Sequence, residues 1–600
     1  MVGPAAVARA FQPGAATGAE VPPRAAAAHE TPPAAVAALY TLLGFAVLSP
    51  WALGGVTPAG SRALAAISLG IALVVGLLQA SRGAVWLPRV PLWPVGVLLG
   101  LGLCHLMPLP VRLHELVAPG SAAVWHPQEP AAAALLGTGS RPISIHPAMT
   151  RAWLGLAGGL CALVVLAIPA LGGHTRTVRV AWILVGAGTL VAVYGVVARA
   201  VFGPLLYGSI AVPTVAPFGP FVNKNHFAGY VEMPALLALG LARGLSRQTA
   251  GAPGAPARPA ALVAFGAAAA MMLAVLLSMS RGGALGLAGG IAAFAVLEAV
   301  TSRRQRPGRK VLVPIALVLL LTLVVALIPA EVQERLFNLR WRDDSAAVFR
   351  LAVWKDALRA WMASPVVGLG LGAFADALPR FKSSAGLFAV EHPENEAIEI
   401  AVEGGLVALV AAAAGLAFAL LRAVRTIKGH HDRVLRGIVT GAVAGAAALL
   451  VHGLVDFNLR IPSNAAMFLA LVAVAVGPVG AVAWRGHARW VLVVPVALCG
   501  LLYSQASPAW PVLRAARASA ARAHATGGTV PAALRLSMAD RRVREYLALR
   551  PADPEGWLLA AWLAAAGGRP ADAAGLARHA VALDPQRPGV VEAARAIGLR

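Results

Sequence analysis

Four clusters of polar side chains interrupt an otherwise apolar chain, and each carries groups that can do chemistry. The first is Phe221-Val222-Asn223-Lys224-Asn225-His226-Phe227-Ala228-Gly229-Tyr230. Its amides, ammonium and imidazole supply donors, and its plainer reading is a helix cap with interfacial anchors. The second is Ser278-Met279-Ser280-Arg281-Gly282-Gly283. Arg281 cannot lose its charge and needs an anionic partner, unless it simply snorkels to water. The glycines beside it allow backbone or ligand to come close.

The third cluster is the richest. It holds Arg350 and Trp354, then Gly368-Leu369-Gly370-Leu371-Gly372-Ala373-Phe374, then Glu391-His392-Pro393-Glu394-Asn395-Glu396-Ala397-Ile398-Glu399. The glycine run has the wrong spacing and setting for a dinucleotide fingerprint, and the last segment lacks the second histidine of a zinc HExxH motif. Pro393 suits the first position of a helix, which puts His392 at its start. Glu396, Glu399 and Glu403 then follow on the same face. A carboxylate there orients the imidazole and stabilises its protonated form. The fourth cluster, His452 to Pro462, contains Asp456 and Arg460, which read most simply as an ion pair with each other.

These groups need a scaffold, and composition names its kind. Of 600 residues, 58% are hydrophobic and only 13% charged, against about 25% charged in ordinary soluble domains. Mean hydropathy is +0.74. This excludes a disordered chain and a coiled coil. A bilayer-spanning helix needs about 20 mostly apolar residues. About thirteen stretches qualify, near 36–54, 63–80, 91–108, 152–171, 180–201, 228–245, 259–277, 283–300, 311–329, 397–421, 437–455, 465–484 and 490–505. The expected fold is an all-α polytopic membrane protein. Cys104, Cys161 and Cys499 all lie in apolar runs with no CxxC pair, so they read as small buried hydrophobes.

The formal net charge of +24 would suggest nucleic acid in a soluble protein. Its distribution says otherwise. With the N-terminus inside, the six inside connections are 81–90, 172–179, 243–258, 301–310, 422–436 and 485–489, and they hold 19 Lys and Arg with Asp432 as their one acid. The outside loop 330–396 has eight basic and nine acidic residues. Basic residues concentrated in inside loops are a topology signal. All four polar clusters then fall on the outer face, although the charge count did not use them. Residues 1–34 are Ala/Pro-rich without an apolar core of signal-peptide length, and are expected to be a disordered cytoplasmic extension. The tail, 506–600, is Ala/Arg-rich and helix-forming. Ala548-Leu549-Arg550-Pro551 recurs 34 residues on as Ala582-Leu583-Asp584-Pro585. That period matches a tetratricopeptide helix–turn–helix, with a plain helical hairpin as the alternative.

The order of these motifs resembles the O-antigen ligase superfamily, which includes O-antigen ligases, O-antigen and exopolysaccharide polymerases, and protein O-oligosaccharyltransferases. Asn225, Ser280-Arg281-Gly282, Arg350 with Trp354, the Gly368 to Phe374 run and His392 with Asn395 carry the resemblance, over roughly residues 36–505. Two departures are visible: His392 is followed by Pro-Glu-Asn where many ligases have Asn directly, and the loop is short for a ligase. The resemblance implies a membrane-domain glycosyltransferase without metal or other cofactor in the bacterial inner membrane, with domain limits 35–505 and a periplasmic tail. Its donor would be an undecaprenyl-pyrophosphate-linked glycan, and its acceptor lipid A-core or a growing polysaccharide. The resemblance places the family's essential residues on Arg281, Arg350 and His392. Asn225, Lys224, Glu396, Asn395, Asp456 and Arg460 are the expected substrate contacts. Ligase and polymerase both remain open at this point. So does a permease in the same pathway, although a permease should show inverted repeats and mid-membrane charges. Membrane lipids are expected partners, nucleic acid is not, and the tail offers a surface for a protein.

Overall fold

The computed structural model describes residues 33–212, 216–249, 259–301, 345–383, 389–506, 509–524 and 531–597. Residues 1–32 of the expected extension 1–34 and the expected span 311–329 lie outside the described residues, and Pro33 and Ala34 already belong to the first helix. The membrane domain contains helices α1 (Pro33–Leu48), α2 (Pro58–Ser81), α3 (Trp93–Leu106), α4 (Pro147–Ala167), α5 (His174–Phe202), α6 (Lys224–Thr249), α7 (Pro259–Leu277), α8 (Arg281–Thr301), α9 (Ser345–Met362), α10 (Glu396–Gly429), α11 (Arg433–His452), α12 (Pro462–Val476) and α13 (Val493–Ser504). The tail adds α14 (Ala509–His524), α15 (Ala532–Leu549), α16 (Pro554–Ala566), α17 (Pro570–Leu583) and α18 (Pro588–Ile597). Among the described residues, nine helices are long and apolar enough to cross a membrane. The protein is an all-α polytopic membrane protein.

Three expected spans differ from that set, each for a local reason. The run 465–484 stops as a helix at Val476, because Gly477-Pro478 cannot continue it. The chain then forms strand β2 (Ala481–Arg485), antiparallel to β1 (Ala84–Pro88). Helix α3 ends at Leu106, just before Pro108 and Pro110. Helix α6 is long enough but carries Glu232, Arg243 and Arg247. It escapes lipid by being surrounded: α5, α7, α8 and α11 all pack on it, and Tyr230, Leu236 and Leu237 are fully buried. Glycines permit that closeness. A Cβ on Gly240 would sit 2.3 Å from the Gly437 carbonyl, and one on Gly437 would sit equally close to the Gly240 carbonyl. Small residues on both helices bring the backbones into contact, the usual way apolar helices pack in a membrane. Cys104 is exposed and Cys161 only partly covered, so of the three cysteines Cys499 alone is buried as expected.

Contacts between connections sort into two sets at opposite ends of the bundle. At one end β1 pairs with β2, His174 bonds Asp432, and Arg247 grips Glu298 at 2.5 and 3.0 Å. At the other, Ser280 bonds Asn225, Asn395 bonds the Leu454 carbonyl, and His146 bonds Asp376. The tail joins this second end: Arg578 holds Glu129, and Ala132 and Leu136 are buried in the core of the tail helices. The repeated motif takes one conformation twice, since α15 and α17 both end at its Leu, with Arg550 and Asp584 in nearly the same backbone geometry.

Helix α10 is bent within its span. Gly405 sits at φ +61°, ψ −161°, and a Cβ there would lie 2.3 Å from the Val366 carbonyl. The bend separates a polar start, Glu396 to Gly404, from the apolar remainder. That backbone region is open essentially to glycine, and forcing another residue into it costs about 1–3 kcal/mol. Gly405→Ala should therefore lower thermal stability in detergent, read by tryptophan fluorescence. Gly415→Ala should not, because its Cβ would meet Pro94 at an ordinary 3.5 Å. Equal behaviour of the two would contradict this account.

Candidate active site

The polar clusters meet at the end of the bundle that carries the tail. The turn between α7 and α8 is tight: Met279 takes φ +56°, and Ser280 caps α8 by accepting from the Gly283 amide at 3.1 Å. The Ser280 hydroxyl donates to Asn225 Oδ1 at 2.9 Å. Asn223 receives the Asn225 amide at 2.9 Å and starts α6. Arg281 is thus the first residue of α8 and is exposed, beside a half-buried Asn225 and Lys224. Behind it, a Cβ on Gly282 would lie 2.6 Å from the His452 ring, and one on Gly286 would lie 2.8 Å from Glu232 Oε2. Only glycines let α8 approach those groups.

His452 and Glu232 belong to a buried string. His452 Nδ1 lies 3.2 Å from Glu232 Oε1. Asp456 stands between two imidazoles, 3.6 Å from His226 Nε2 and 3.9 Å from His452 Nε2. These are ion-pair distances, longer than direct hydrogen bonds. Burial pushes the Asp456 carboxyl up, but the two histidines and the Phe457 amide outweigh it and bring the value down to about 2.

Phe457 joins this half of the site to the other. The His226 ring meets it at 4.9 Å and 76°, edge to face, and the His392 ring stacks on it at 4.2 Å and 18°. His392 Nδ1 is hydrogen-bonded to Glu399 Oε1 at 2.8 Å. That bond fixes the ring and leaves Nε2 for a proton. The imidazole is partly exposed while Glu399 is 1% exposed. Burial by itself lowers the His392 value; the Glu399 hydrogen bond and charge outweigh it and hold the imidazole above its ordinary value. Arg460 serves all three glutamates, at 2.8 Å from Glu403, 3.3 Å from Glu399 and 3.7 Å from Glu396. Burial disfavours its charge, yet the three carboxylates raise its value further above the normal range.

Two segments hold the His392 loop in place. From α9, Arg350 pairs with Glu394, and the Trp354 indole donates to the Pro393 carbonyl at 2.8 Å. The glycine run is a strap laid along the start of α10. The Leu369 and Gly370 amides donate to the Val402 and Glu403 carbonyls, and the Phe374 amide donates to Glu403 Oε1 at 3.3 Å. Gly368, Gly370 and Gly372 all have positive φ, which lets this strap run without side-chain clash.

The structure brings Asn225, Arg281, Arg350 and His392 into one polar layer, with Arg350 near enough for its charge to act on His452. Two local expectations change. Asp456 and Arg460 do not pair: the short turn Asn458–Arg460 turns the acid toward histidines and the base toward glutamates. His392 is not on the helix. Asn395 caps α10, and Glu394 at φ +53° breaks the chain before it. The polar atoms of Asn395 and Glu396 are engaged internally, with the Ile398 amide, the Leu454 carbonyl and the Leu459 amide. Sequence reasoning missed the parts played by Glu232, His226, His452 and Phe457. An acid inside the apolar run of α6 was the available signal for Glu232.

The fold and site define a multi-pass membrane protein with an arginine- and histidine-bearing polar layer at one end. Residues 266–413, from α7 through the first half of α10, match the family model described as O-antigen ligase. This match places that region of the chain in the O-antigen ligase superfamily. No curated protein matches the chain.

The folded-state value of His392 lies above the unfolded value of about 6.5, so its charge stabilises the fold below that pH. The contribution is lost as pH rises through the folded value. Glu399→Gln removes the main raising partner and leaves burial and the Arg460 charge against the weaker pull of Glu403, so His392 should then titrate at lower pH. Histidine NMR titration of both proteins checks this, and an unchanged midpoint would contradict it.

Proposed function

We propose that the chain transfers a glycan from an undecaprenyl-pyrophosphate-linked donor to an acceptor hydroxyl. The family match supports a glycosyltransferase-type role in polysaccharide assembly. The observation that carries the finer reading is His392, oriented through Nδ1 by buried Glu399 in the same polar layer as Arg281 and Arg350. Nε2 takes the proton of the acceptor hydroxyl as its oxygen attacks the anomeric carbon. The bond from that carbon to the phosphate oxygen breaks, and its electron pair leaves with the pyrophosphate. A positioned base is typically worth about 10²–10⁴ in rate.

Arg281 and Arg350 stabilise the charge that develops on the pyrophosphate. Glu394, which holds Arg350 with both side chains partly exposed, is the carboxylate a donor phosphate displaces. Asn225 and Lys224 are the nearby donors for the remaining oxygens. In this reading Asp456, Arg460, Asn395 and Glu396 position the site. The charge asymmetry of the connections supports an inner-membrane orientation with the site, the tail and loop 330–396 on the periplasmic side.

The acceptor is proposed to be lipid A-core, as for a ligase. Deletion of the gene followed by glycan gels tests this. Lipid A-core without long chains supports it. Single repeat units on the core, or loss of a secreted polymer with intact lipopolysaccharide, would replace it with a polymerase reading. In a transfer assay with purified protein, His392→Ala should lose about 10²–10⁴ in rate, and Arg281→Ala or Arg350→Ala about 10²–10³, at normal expression. Full transfer by His392→Ala overturns the mechanism.

A further inference from the structure

The helix that presents Arg350 has a second face that the site does not use. Val353, Asp356, Ala357 and Ala360 of α9 point into the protein and are buried. On the opposite side Val348, Leu351, Leu358 and Met362 are all exposed, with Lys355 among them. Their positions, at intervals of three and four, make one continuous stripe along the helix. Leu351 is 59% exposed and Met362 67%. Beside the stripe runs an open groove of about 640 Å³, lined by Leu351, Trp354, Lys355, Leu358, Arg359, Met362 and Phe381. Among the described residues, nothing covers the stripe.

The end of α9 is tied to a membrane span. Just after the helix, the Pro365 and Val366 carbonyls accept from the Leu406 and Val407 amides of α10 at 2.9 and 3.1 Å. That is the bend at Gly405, where α10 passes from its glutamate-bearing start to its apolar length. From there Leu406 and Val410 face outward, and Val366 is exposed beside them. Met362 therefore lies level with the first outward-facing apolar turn of a spanning helix. Lys355 and Arg359 supply basic charge along the same surface, with Arg359 also pairing with Asp356 at 3.0 Å.

We infer that α9 is an interfacial helix: its stripe lies in the surface of the bilayer, with Lys355 at anionic headgroups. An amphipathic helix of this kind sinks its apolar face about 5–10 Å into the boundary of headgroups and acyl chains. The occupant of the face is bilayer lipid. The consequence, which rests on the transfer reading, is that α9 sets the depth of the site. Arg350 is next to Leu351, and Trp354 holds the His392 loop, so an embedded α9 keeps both at the level where a lipid-linked phosphate sits.

Depth can be read without any transfer. In the full chain with its three cysteines replaced by alanine, single cysteines at Leu351, Leu358, Met362, buried Ala357 and exposed Arg542 of the tail are nitroxide-labelled. The protein is reconstituted in vesicles of phosphatidylethanolamine and phosphatidylglycerol. Labels at 351, 358 and 362 should be more accessible to oxygen than to a water-soluble nickel chelate, and the label at 542 the reverse. Greater nickel access along the stripe would overturn the inference, showing a water-exposed face. Access to neither, as at 357, would also overturn it, showing a face covered by protein. Lys355→Glu should raise nickel access at 358 in these vesicles and not in phosphatidylcholine; equal effects would overturn the headgroup contact. A lipid-embedded stripe in a protein without transfer activity would instead count against the transfer reading.

Discussion

Arg460 is the group on which the site depends. Glu396, Glu399 and Glu403 lie within two turns of one helix, all nearly buried, at the edge of a membrane-spanning segment. Like charges at that spacing repel, and burial makes each ionised carboxylate costly. One guanidinium answers all three, reaching them from the turn between α11 and α12. Removing one partner of a buried ion pair leaves an uncompensated charge, which destabilises by about 3–5 kcal/mol. Without Arg460 the glutamates would take up protons or turn outward. Glu399 would then no longer hold the His392 ring, and Glu403 would no longer hold the Phe374 amide of the glycine strap.

The loop that carries Arg460 also carries Phe457 and Asp456, so nine residues between α11 and α12 organise both halves of the site. Phe457 separates two polar groups of opposite design. On one side His392 is partly exposed and backed by a carboxylate. On the other, His226, Asp456, His452 and Glu232 form a string closed to solvent. Aromatic packing of this sort sets distance and angle without adding charge. The closed string gives the α7–α8 turn a rigid floor, because Gly282 rests on the His452 ring. Arg281 is placed by that floor, and His392 by Glu399. The two cationic and basic elements of the site are thus positioned independently, then held at fixed separation by one ring.

Much of this was legible in the chain. Apolar runs announced the helices, and the +7 spacing placed a glutamate where it could reach His392. The limits fall where tertiary contact overrides local pattern. Helix α6 is polar at its start and charged within, yet it is the most enclosed helix because glycines on α11 admit it. The Asp456–Arg460 pair is the best local guess at a spacing of four, but stronger partners on other helices take both groups. The start of α10 moved from Pro393 to Glu396 because Asn395, rather than the proline, caps it. A ring packed between two histidines from distant parts of the sequence, stacked on one and edge to face with the other, leaves no periodic trace at all.

The tail extends the same logic outward. Asp376 is buried, and its two oxygens are divided between His146 of the first large connection and Arg550 of the tail, both at 2.6 Å. Burial raises the Asp376 carboxyl, but these two partners prevail and hold it low. A carboxylate so placed is stable only while both are present. Asp376 lies in the short helix that begins at Phe374, whose amide binds Glu403, and Glu403 binds Arg460. The path from Arg550 to His392 therefore runs through charged and hydrogen-bonded contacts, apart from the one step along the backbone from Asp376 to Phe374. Ala552 of the tail is buried in one apolar cluster with Leu369, Ala373 and Phe374 of the strap, so the helices after residue 506 pack directly on the elements that hold the site.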